Sequence, residues 1–94
     1  LVSLFDSLKQ TIRDMEEEWP EVHITHLEYS GPSYELYENE PIIHLDIHMS
    51  GPAEDCLFFE DAFYDRLQNF MDERTIEEVE FIDKCLFFHF ERKN

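Results

Sequence analysis

The hydrophobic period changes at Pro20, and no other feature of this sequence restricts the possible folds as strongly. Before it, Leu1, Leu4, Phe5, Leu8, Ile12, Met15 and Trp19 recur at steps of three and four, the spacing that lines one face of an α-helix. Pro20 lacks a backbone N–H and disfavours helical geometry at Trp19, so the helix is predicted to stop near Glu18. Beyond it, Val22 and Ile24 alternate with His23 and Thr25, and Leu27 and Tyr29 follow. That is a strand pattern with a slip of phase near His26.

Ser30 to Ser33 are turn formers. The acidic, aromatic stretch from Tyr34 to Pro41 reads as a long loop or an irregular edge strand. Ile42, Ile43, Leu45, Ile47 and Met49 predict a second strand with His44, Asp46 and His48 on its other face, closed by Ser50-Gly51-Pro52. Phe58, Phe59, Ala62, Phe63, Leu67, Phe70 and Met71 return to helical spacing and place a second helix at roughly Ala53 to Asp72, its start left open because Cys56-Leu57-Phe58-Phe59 also reads as a short strand. The remainder reads as a hairpin: Glu78 to Phe81, a turn at Ile82-Asp83-Lys84, then Cys85 to Glu91. The expected fold is therefore α+β in the order αββαββ, a mostly antiparallel four-stranded sheet with two helices on one face. Ninety-four residues suit a single domain, residues 1–94.

Charge bounds the partners. Seven Lys and Arg against twenty-three Asp and Glu give a formal charge of −16, a field that repels phosphate backbones and anionic headgroups. Direct nucleic-acid binding and membrane binding are accordingly not expected, whereas a basic protein surface is a good partner. The 43% apolar content, with nine Phe, argues for a packed core over disorder. No apolar run is long enough to span a bilayer and the N-terminus has no signal-like pattern, so a cytoplasmic location is expected. Starting at Leu1 without a methionine, the chain is expected to lack a few native residues. Cys56 and Cys85 have no metal-finger or CxxC spacing and read as reduced core thiols.

Three constellations could carry chemistry. His44, Asp46 and His48 project from one face of a strand, and two imidazoles with a carboxylate can bind zinc or iron. His89, Cys85 and His23 could share that face, although polar residues alternating with Ile and Leu are also what any solvent-facing strand surface carries. Cys85 as a nucleophile lacks an activating group, the two glycines form no phosphate loop, and neither an enzymatic activity nor a cofactor is expected. The acidic residues are the remaining signal: Glu16, Glu17, Glu18 and Glu21 at the end of the first helix; Tyr34, Glu35, Tyr37, Glu38 and Glu40 in the acidic loop; and Asp72, Glu73, Glu77, Glu78 and Glu80. Bundled like charges weaken folding, and rows of carboxylates can imitate duplex phosphates; general solubility accounts for them equally.

The expected function is a non-enzymatic acidic binding protein. By analogy of size and charge alone, it would be a stoichiometric inhibitor of a basic nucleic-acid-binding protein, such as a DNA-mimicking anti-defence protein or a nuclease-toxin immunity protein. The alternatives are a small adaptor or homodimeric module using the open sheet face, and a metal-binding protein centred on His44, Asp46 and His48.

Overall fold

The computed structural model describes the backbone of residues 2–34 and 41–93, and the side chains of 3–32 and 41–93. Helix α1, Val2–Glu18, ends where Pro20 requires. Its Leu4, Leu8, Ile12 and Met15 are buried, and Trp19 lies edge-on to Phe59 with ring centroids 6.1 Å apart. Strand β1, His23–Tyr34, pairs antiparallel with β2, Pro41–Ser50. The slip of phase near His26 is a register irregularity between Ile24 and His26, which leaves Thr25 as the extra residue. Ser30 to Ser33, expected as a turn, stays within β1. Gly31, at φ 105°, and Pro32, which has no N–H for the ladder, form a second irregularity before Ser33 and Tyr34 rejoin Ile42 and Pro41.

Helix α2 spans Ala53–Asp72 as expected and buries Cys56, Phe59, Phe63 and Leu67. The segment after it corrects the sequence expectation. Residues Glu78 to Phe81 and the supposed turn at Ile82-Asp83-Lys84 belong to a third helix, α3, Ile76–Cys85. Thr75 caps it: its Oγ1 accepts the Glu78 N–H at 3.2 Å, and its hydroxyl donates to the Glu78 carboxylate, an N-cap at Thr-x-x-Glu spacing. Glu77 and Glu78 in the first turn and Lys84 in the last complement the helix dipole. The apparent alternation of Val79 and Phe81 belongs to a helical set with Ile82 and Cys85. The chain then passes directly into β3, Leu86–Arg92.

The sheet is therefore three-stranded and mixed, in the order β1-β2-β3, with β3 parallel to the central β2. Parallel neighbours need a long crossover connection, which α2 and α3 supply. One face of the sheet, with Ile24, Leu45, Ile47, Met49 and Leu86, forms a single apolar cluster with α1, α2 and Ile82 of α3. Phe88 and Phe90 pack onto that cluster, and both rings meet Phe63 edge-to-face at 5.0 and 5.4 Å. Tyr29 reaches α1, donating its hydroxyl hydrogen to the Phe5 carbonyl at 3.0 Å. Burial, with Asp6 adding to it, holds that phenol well above its ordinary pKa. Among the described residues no helix is long and apolar enough to cross a membrane.

Candidate protein-binding surface

Folding separates the two kinds of polar residue that stand out in the sequence. The three helices carry fifteen carboxylates against Lys9, Arg13, Arg66 and Lys84. The sheet face turned away from them carries the histidines: the register places His23, His26, His44, His48 and His89 with Glu28, Asp46 and Glu91 on that side. These are all five histidines of the chain.

On the helical layer the acidic residues are poorly neutralised. Among the described residues, the Lys or Arg pairs with carboxylates are Arg13 with Glu16 at 3.1 Å and Arg66 with Glu18 at 2.5 Å. Other cations are engaged elsewhere: Lys9 lies over the Tyr29 ring, Arg74 over the Phe70 ring, and the Arg92 Nε–H donates to the Gly51 carbonyl. Glu17, Glu73, Glu77 and Glu80 are exposed. Along the chain at the start of α3, Glu73, Glu77 and Glu80 flank Ile76, an aliphatic side chain 80% exposed. An apolar anchor inside a charged rim is the usual composition of a protein-binding patch.

The predicted acidic sites divide once their surroundings are known. Glu16 is a structural tie: one carboxylate oxygen holds Arg13, and the other accepts the Ile24 N–H at 2.6 Å, closing the reversal from α1 into β1. Replacing it (Glu16→Ala) is expected to strand a part-buried N–H and lower stability by about 1–3 kcal/mol, measurable by urea unfolding; a change below about 0.5 kcal/mol would mean that the tie contributes nothing. Glu18 is engaged by Arg66 across to α2. Glu21 is exposed in side chain, while its backbone is packed beneath Gly51. Glu78 is half-buried in the α3 cap, and Glu77 and Glu80 face solvent. Glu35, Tyr37, Glu38 and Glu40, and the side chain of Tyr34, lie outside the described residues.

His44, Asp46 and His48 do share one sheet face, but His44 and His48 are four residues apart along a strand, about 13 Å, and each is engaged with a different neighbour. His44 Nδ1 is 2.6 Å from His89 Nε2. The His48 ring lies 4.6 Å from that of His26, and its Nε2 is 3.3 Å from Glu91. Among the described residues no three His, Cys, Asp or Glu side chains are arranged to hold a metal ion. Cys85 is not on this face; it is buried at the end of α3. Burial, opposed by Arg92 and reinforced by Asp55, pushes the Cys56 thiol up, away from a reactive thiolate. The chain matches no known protein-family model, no curated protein and no solved structure with which it was compared.

Proposed function

We propose that this protein is a non-enzymatic acidic binding protein whose helical layer docks on a basic surface of a nucleic-acid-binding protein and inhibits it stoichiometrically. The observation that supports this reading is the segregation of charge: fifteen carboxylates on three helices, with two Lys or Arg pairs to them among the described residues. Solubility alone needs no such one-sided field, and like charges crowded on one layer oppose folding. A surface of this kind steers association with a cationic partner and competes with phosphate for the same groove.

Capture from the native host's lysate at low and at high salt tests the proposal. The expected result is a basic nucleic-acid-binding protein retained at low salt, released by high salt and displaced by added DNA or RNA. Retention of neutral proteins insensitive to salt and to nucleic acid would overturn it.

A further inference from the structure

The sheet face carries a second site, independent of the acidic helices. We propose that His44 and His89 form an open two-imidazole site for a borderline divalent transition-metal ion such as Cu²⁺ or Zn²⁺. The sequence pattern pointed to His44 with His48; the parallel pairing of β2 and β3 brings His89 to His44 instead.

Two pairs of histidines meet on this face, and their chemistry differs. In the pair His26 and His48 the rings lie against each other at 34°, and each Nε2 is directed at a carboxylate, Glu28 at 3.5 Å and Glu91 at 3.3 Å. Their Nε2 atoms each lie beside a carboxylate and do not face each other. In the pair His44 and His89, ring nitrogens of the two side chains face each other at 2.6 Å, so one ring donates N–H and the other accepts. Two imidazole nitrogens bound side by side to one metal at about 2.0 Å stand about 2.8–3.3 Å apart. The pair therefore needs a few tenths of an ångström of opening and a turn of each ring by roughly 35–45°, because the nitrogens now point at each other and must point to one metal. The donor ring moves its hydrogen to its far nitrogen, and the neutral pair loses no proton.

Imidazole suits copper and zinc, and copper binds most strongly of the divalent series. With no third protein ligand converging on the pair among the described residues, the remaining positions fall to water or to an outside donor. Asp46, the register partner of His89 on the same face, is the nearest carboxylate along β2 and favours a cation there. Phe87, 43% exposed with its ring 6.0 Å from His44, walls one side.

The test is titration of untagged protein with Cu²⁺ alone, followed by electron paramagnetic resonance. The expected result is one equivalent bound, with a signature of two coupled nitrogens. His44→Ala and His89→Ala should each weaken binding at least about tenfold, while His26→Ala and His23→Ala leave it unchanged. Should His44→Ala lower the melting temperature, His44→Gln keeps a polar side chain there and carries the same expectation. Copper binding unaffected by His44 and His89 variants, lost equally in His26→Ala, or absent altogether would overturn the proposal.

Discussion

Gly51→Ala is expected to destabilise the fold by about 3 kcal/mol or more. Gly51 has φ +137°, where L side chains are strained, and a Cβ built on it would lie 2.2 Å from the Glu21 backbone oxygen. Neither side can yield cheaply. Glu21 is held by the Val22 N–H, which donates to the Trp19 carbonyl at 3.0 Å, and Val22 is buried. Gly51 is held by Arg92, whose Nε–H donates to its carbonyl at 2.8 Å, and by the start of α2. The methyl group would therefore separate the turn after β2 from the link between α1 and β1. Urea unfolding measures the effect; a loss below about 1 kcal/mol would mean that these two connections are not in contact.

Phe63→Ala has a comparable expected effect, about 3–5 kcal/mol. The side chain is fully buried, and it is the point at which α2 grips β3 through Phe88 and Phe90. Because β3 is paired with β2 alone among the described residues, removing that grip loosens the strand that presents His89. For a domain of this size the loss corresponds to a fall in Tm of roughly 15–30 °C, and for a protein of marginal stability it approaches global unfolding. An unchanged Tm would place Phe63 outside the core.

Much of this fold was legible because local periodicity decided it. The far end of α2 and the stop of α1 follow from apolar spacing and Pro20, and the irregularity at Thr25 follows from the break in alternation; the start of α2 stayed open because Cys56 to Phe59, a continuous apolar run, suits a strand as well as a helix. Helix α3 was misread for a local reason as well: Val79 and Phe81 alternate over too few residues to separate the two periods, and Thr75-x-x-Glu78 was the cap signal that separated them. The direction of β3 was a consequence of that error, since a hairpin makes neighbours antiparallel and a two-helix crossover makes them parallel. The sites depended on longer-range facts. That Glu16 differs from Glu17 appears only when the chain reverses and brings the Ile24 N–H to it, and His44 meets His89 only through the register of strands forty-five residues apart.

The resulting molecule is two-sided, acidic on its helices and histidine-bearing on its sheet, and the variants that probe one side leave the other intact. The most direct test of the central claim is to titrate the captured basic partner with wild-type protein and with a variant carrying Glu17→Gln, Glu73→Gln, Glu77→Gln and Glu80→Gln, over a series of salt concentrations. All four are exposed and Glu16 is spared, so the fold should be retained. The expected result is a wild-type affinity that falls steeply with salt, and a variant at least about tenfold weaker with a shallower salt dependence. Equal affinity and equal salt dependence for the two proteins would contradict docking through the helical layer.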